Sequence, residues 1–374
     1  MNAGEVASGP TTIGPVAPVR TYAVPRASGR PAGLVGVVVG ASAVALALAV
    51  TAPMATIVLG LVFFGMLAAI LSSRYLVGRF AALLDPAFVR LLGALITGVV
   101  VCGLLSRVVG RPAELVGIVL GYGVLAAGVR QWSGARRRVR RVIAWAVLAA
   151  ALALSLAFPA YHLVVLGQLL MLAPLGFLWE WSRGLPETSA RRGFRGALLL
   201  GYVGGPVLLL GGALDPWLTT APGQVRSVVG NGEAILRVTT LPGTEGTPLV
   251  ARMLALSAFL GTLAYAAWLV FFPRAAPGAT ESVEARLPWA TGPRVWAGAF
   301  TAAAGLAVVF ALDFGRATAL LGAVSAYPVL LGVALLVVLA GSGGRSGGRE
   351  KVLPPAPEST YGRSTEPEGR WSEK

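Results

Sequence analysis

From Pro31 to Ser73 the chain carries no charged residue, a run of 43 residues. A helix crossing the hydrocarbon core of a bilayer needs about 20 apolar residues, so this run is too long for one crossing and suits two. Thr51-Ala52-Pro53 marks the division, because proline lacks the N–H that a continuing helix must donate. Val142–Trp179 repeats the pattern, again without a charged residue, and Pro159 divides it. Composition agrees with this reading. Of the 374 residues 56% are hydrophobic and 13% charged, where a soluble domain has about 25% charged residues. The chain reads as an all-α, polytopic integral membrane helical bundle.

Counting apolar segments gives about ten transmembrane helices, at 33–51, 54–72, 87–109, 112–129, 142–158, 159–179, 196–214, 253–272, 294–312 and 317–340. Asp85-Pro86 reads as a helix N-cap followed by proline at the first helical position. Residues 73–90 mix Arg74, Arg79 and Arg90 with Tyr75, Leu76 and Phe80, the composition of a short amphipathic helix lying in the membrane interface. The transmembrane domain is therefore expected over 33–340. Residues 1–32 and 341–374, rich in Gly, Ser and Pro, are expected to be disordered tails. The first apolar stretch begins only after about 32 residues, so it reads as a span rather than a secretory signal.

Orientation follows from the basic run Gly134-Ala135-Arg136-Arg137-Arg138-Val139-Arg140-Arg141, because cytoplasmic loops are enriched in Arg and Lys. With both termini cytoplasmic, 25 of the 31 basic residues fall on the inside and six outside. The net charge of +15 thus belongs to membrane-surface loops, with no basic-aromatic stripe of the kind that tracks nucleic acid. Only Lys351 and Lys374 are lysines, a bias associated with GC-rich prokaryotic genomes. The expected location is a cell (inner) membrane. The longest internal segment, 215–251, is placed outside; Gln224–Val229 and Glu233–Thr240 flank Gly230-Asn231-Gly232, which predicts a small extracytoplasmic β-hairpin.

Ionisable groups inside spans are costly and suggest function, and here they are few. Arg107, Arg111 and Glu114 cluster at the turn between the third and fourth spans, where a salt-bridged hairpin tip is the simpler reading. Asp313 and Arg316 are three apart and would pair locally on a helix, or else mark an outer mouth. His162 follows Pro159, and Tyr122 and Gln168 are polar groups deep in spans. Those three, with Glu114, Arg107, Asp313 and Arg316, are the candidates for a pathway or binding site. Small-residue pairs, Gly36 and Gly40, Gly117 and Gly121, Gly201 and Gly205, suit close helix packing. The seventh span adds Gly204, Pro206, Gly211 and Gly212, and Gly-Gly-Pro in mid-membrane frees backbone groups that a cavity or neighbour must satisfy.

One cysteine, Cys102, and one histidine exclude an intrachain disulfide and a Cys- or His-built metal centre. No paired intramembrane carboxylates, lysine-bearing phosphate loop or His-Glu-x-x-His is present, and the one Gly-x-Ser-x-Gly match, Gly344 to Gly348, falls in the Gly/Ser-rich tail and not at a strand-to-helix elbow. No cofactor or metal is expected. Three functions remain: movement of a small or lipophilic solute, a non-catalytic membrane partner or assembly factor (including a homo-oligomer), or an enzyme acting on a lipid or polyprenyl substrate. The last would draw its catalytic group from His162, Glu114, Asp313 and Glu180.

Overall fold

The computed structural model describes residues 31–80, 85–132, 138–185, 189–218, 235–236, 239–244, 246–276 and 292–342. Ten helices among them are long and apolar enough to cross a membrane: α1 (Gly33–Thr51), α2 (Pro53–Phe80), α3 (Pro86–Ser106), α4 (Arg111–Arg130), α5 (Arg138–Ala157), α6 (Pro159–Gly184), α7 (Ser189–Leu210), α8 (Pro248–Ala275), α9 (Gly292–Leu312) and α10 (Phe314–Gly341). This is the architecture of a multi-pass membrane protein. In hydrocarbon every backbone polar group needs an internal partner, which a helix supplies.

Proline sets many of the boundaries. It stands in the first turn of α2, α3, α4, α6 and α8, where its missing N–H would have had no helical partner in any case. The Asp85 carboxylate accepts from the Ala87 N–H at 3.2 Å, capping α3 as its sequence suggests. Beyond the span the α3 helix continues to Val109, and Gly110, at φ 78°, alone turns the chain into α4. A side chain is disfavoured in that conformation.

Two of the prolines inside helices leave a second mark, whereas α10 stays α-helical around Pro328. In α7 the segment Leu200–Gly204 is π-helical and is followed by Gly205-Pro206; in α8 the segment Ala266–Phe271 is π-helical and is followed by Phe272-Pro273. A proline ring collides with the carbonyl four residues earlier. Those carbonyls, of Tyr202 and Leu269, both lie inside the widened turns. A third π-helical segment, Gly60–Phe64 in α2, has no proline to explain it. There Gly60 faces α8: a Cβ on Gly60 would lie 2.7 Å from Cε2 of Tyr265.

α8 is the hub. Its residues Ala255, Phe259, Leu260 and Phe272 are fully buried, in a core shared with α1, α2, α6, α7 and α10. A second core joins α9 to α2 and α10 through Met66, Ala303, Leu306 and Leu321. A third joins α3 and α4 to α10 through Phe88, Leu92, Val124 and Ala334. Lipid tails are as apolar as leucine, so what holds these helices together is close packing and hydrogen bonding rather than water exclusion. Gly205 lies against the Phe259 ring, Gly201 against Ser42, and Gly128 against the Ala334 carbonyl.

Several expectations need correction. The second arm of the proposed hairpin is not a strand where it is described: Ile235, Leu236 and Thr239 are helical, and no strand occurs among the described residues. Ile235 is buried in the second core, and the Thr239 and Thr240 hydroxyls donate to the carbonyls four residues back. Burial and those local bonds outweigh β-propensity. The first arm, Gln224–Val229, lies outside the described residues, as do the tails 1–30 and 343–374. The interfacial helix at 73–90 does not form a separate element. α2 continues to Phe80, because Tyr75, Leu76 and Phe80 are buried against neighbouring helices instead of lying in a headgroup layer. The sequence suggests a loop over 182–195 carrying Arg183, Arg191, Arg192 and Arg195, but the last three stand in the first turns of α7. Among the described residues a Cβ on Gly36, Gly40 or Gly121 would meet no neighbour within 4 Å, whereas Gly117 approaches Cys102, which is half-buried.

Candidate functional site

Among the described residues, three gatherings of polar side chains in the bundle involve candidate residues or bear several charges. The first joins α6 to α8. Gln168 and Ser257 each stand nine residues beyond the start of their helices, a depth of about 14 Å at 1.5 Å per residue. The Gln168 amide NH2 donates to the Ser257 hydroxyl at 2.5 Å, and that hydroxyl donates to the Met253 carbonyl at 2.9 Å. The Gln168 carbonyl oxygen is buried with no hydrogen-bond partner among the described residues. Leaving such an acceptor unmet costs about 1–3 kcal/mol.

The second place joins α4, α5 and α6. The Tyr122 and Ser155 hydroxyls share a hydrogen bond of 2.9 Å, and the His162 ring lies with its centroid 5.8 Å from that of Tyr122. Ser155 is the buried residue of α5, a helix otherwise turned outward. The sequence flagged Tyr122 and His162 separately; the fold brings them together. Gln168 stays with α8, and among the described residues no hydrogen bond or ion pair links any two of His162, Glu114 and Asp313.

The third place is the arginine-rich end, where α2, α6 and α8 finish and α7 begins. Glu180, buried, forms an ion pair of 2.8 Å with Arg183 one turn on. The Arg195 guanidinium lies 4.6 Å from the centroid of the Trp179 ring and donates to the Ser182 hydroxyl at 2.9 Å. Arg191 donates to the Arg183 and Leu185 carbonyls. Nearby, the Tyr75 hydroxyl is buried among Phe80, Trp268 and Phe272 without a hydrogen-bond partner among the described residues. A cavity of about 420 Å³ opens beside Trp179, Glu180 and Arg183, walled by Leu199, Leu336 and Leu339.

At the opposite end, Asp215 and Arg252 clamp the start of α8 to the segment after α7. Arg252 Nε donates to one carboxylate oxygen at 2.9 Å, Nη2 to the other at 2.5 Å, and Nη1 to the Leu210 carbonyl at 3.2 Å. This hydrogen bonding holds the Asp215 carboxyl below its ordinary range. Gly212, at φ 77°, packs directly beneath the guanidinium. Asp313 and Arg316 do pair, at 3.1 Å, although α9 stops at Leu312. Asp313 instead starts α10, its carboxylate accepting from the Arg316 N–H at 2.9 Å. Glu114 sits in the first turn of α4, where the helix dipole favours an anion. The Arg107 side chain lies outside the described residues, so the expected hairpin-tip pairing there stays an expectation.

Sequence reasoning passed over Ser155, Ser257, Asp215, Arg252 and Arg195. A serine in an otherwise apolar stretch, as at 155 and 257, was the available signal for two of them. The Asp215–Arg252 clamp spans 37 residues and left no local trace. No group of three or more metal-ligating side chains occurs among the described residues. The chain matches no family model, and neither a curated protein nor a solved structure is significantly similar to it.

Proposed function

We propose that this chain is a permease-like protein of a prokaryotic cell (inner) membrane, with both termini cytoplasmic, that moves a small or lipophilic solute along α8. What supports this reading is the conjunction, around one buried helix, of three π-helical segments and an unmet acceptor. π-turns carry free backbone groups and are frequent at functional sites. Here they lie in α8 and in α2 and α7, each of which packs on α8: Gly60 meets Tyr265, Gly205 meets Phe259, and the Tyr202 hydroxyl donates to the Leu263 carbonyl. The Gln168 amide NH2 meets α8 at Ser257 from a third helix, α6, and its carbonyl is the unmet acceptor among the described residues. Helices with softened turns can shift against each other at small cost, and weakly polar groups can bind a solute without trapping it.

The test compares a strain lacking the gene with strains complemented by the wild-type chain or by Gln168→Leu. Cell contents, membrane lipids and spent medium are profiled together. Removing an unmet carbonyl along with one hydrogen bond leaves stability neutral or slightly higher. The expected result is a compound displaced between cells and medium in the null strain, restored by wild type and not by Gln168→Leu. A precursor accumulating as its product vanishes from every fraction would replace transport with catalysis. Unchanged fractions would leave a partner or assembly role.

A further inference from the structure

At the arginine-rich end, we propose that the groove between α6, α7 and α10 is a binding site for an anionic phospholipid, with its phosphate on Arg195 and Arg183 and an acyl chain along Leu199, Leu336 and Leu339. The groove, of about 420 Å³, falls in the size range of small-ligand pockets, about 300–1,000 Å³. Its two walls differ in chemistry. One is leucine, and Leu199 is 46% exposed toward the lipid-facing surface. The other carries Trp179 and the Glu180–Arg183 pair.

Charge decides the occupant. Glu180 and Arg183 line the groove and neutralise each other; the positive charge comes from beside it, from Arg195 on the face of the groove-lining Trp179 and from Arg191 against the Arg183 carbonyl. Arg195 is held in place from two directions, by the Trp179 ring and the Ser182 hydroxyl. A guanidinium fixed in this way loses little entropy on gripping a phosphate and presents paired donors to it. Basic pockets between transmembrane helices are a recurrent way of holding anionic headgroups. A zwitterionic lipid would bring its own cation against three arginines, and a free anion would leave the leucine wall unused.

The full chain, purified in detergent and stripped of lipid, is titrated with phosphatidylglycerol, phosphatidylcholine or inorganic phosphate, and binding is read by native mass spectrometry and thermal stability. Phosphatidylglycerol is expected to bind and to raise the unfolding temperature above either alternative. Arg195→Gln should weaken it about five-fold, the change that one interfacial arginine is worth. Leu199→Trp, at a lipid-facing position that tolerates bulk, should obstruct the acyl groove with every charge kept. Equal binding of phosphatidylcholine would overturn the proposal. So would wild-type phosphatidylglycerol binding by Leu199→Trp, which decides the matter even where Arg195→Gln fails to fold. A shift reproduced by inorganic phosphate alone would reduce the site to an anion contact and reject the lipid.

Discussion

Gly205 is a position in the packed core where a single methyl group should change the behaviour of the bundle. Its Cβ would stand closer to Cζ and Cε1 of Phe259 than carbon atoms approach one another, and 3.1 Å from Cε2. Phe259 is 1% exposed and cannot swing aside. Overpacking of this kind costs about 1–3 kcal/mol, and the overlap with two ring atoms of a fixed side chain argues for the upper end. Against it, alanine gains about 1 kcal/mol over glycine in a helix. Gly205→Ala should therefore destabilise by about 2 kcal/mol. Phe259→Leu removes the three offending atoms, so in that background only the propensity gain remains and the same substitution should stabilise by up to about 1 kcal/mol. The reversal of sign is a coupling of about 3 kcal/mol, at the top of the range for residues in contact. Unfolding of the four proteins of this cycle in one detergent, followed by tryptophan fluorescence, measures it. Gly205→Ala as stable as wild type with Phe259 intact, or equal losses in both backgrounds, would refute the claim that this contact sets the α7–α8 distance.

The Asp215–Arg252 clamp predicts an acid limb in stability. Because the folded carboxyl titrates below its ordinary value of 3.8, its contribution is present above that pH and is lost as pH falls through the lower folded value. Asp215→Asn should flatten this part of a fluorescence-monitored pH profile, and an unchanged acid limb would show that the clamp does not couple to folding. Reporter fusions test the orientation: activity on the outer side is expected within 219–234 and absent within 133–137 and at both ends, and the opposite pattern would invert the protein.

Much of the bundle is readable along the chain because crossing a bilayer is a one-dimensional constraint. Length, apolarity and the absence of charge are local properties, and so are the prolines at the starts of α2, α3, α4, α6 and α8. Even the π-helical turns of α7 and α8 were foreshadowed by Pro206 and Pro273, since each proline displaces a carbonyl four residues before it. Burial is not local. Tyr75 and Phe80 have the composition of an interfacial helix, yet α6, α8 and α10 cover them, and α2 runs on. Gly36-x-x-x-Gly40 and Gly201-x-x-x-Gly205 are alike in sequence, but among the described residues only the second would bring a Cβ within 4 Å of another helix, where Ser42 and Phe259 approach. The Gly60–Phe64 turn of α2 has no proline and accompanies the contact with Tyr265, a residue 205 positions away. The sequence by itself determined how many times this chain can cross a membrane and where it breaks. Which faces meet, which polar groups are left unmet at α8, and where the arginines converge were decided by tertiary packing, because in lipid helices choose one another by fit rather than by hydrophobicity.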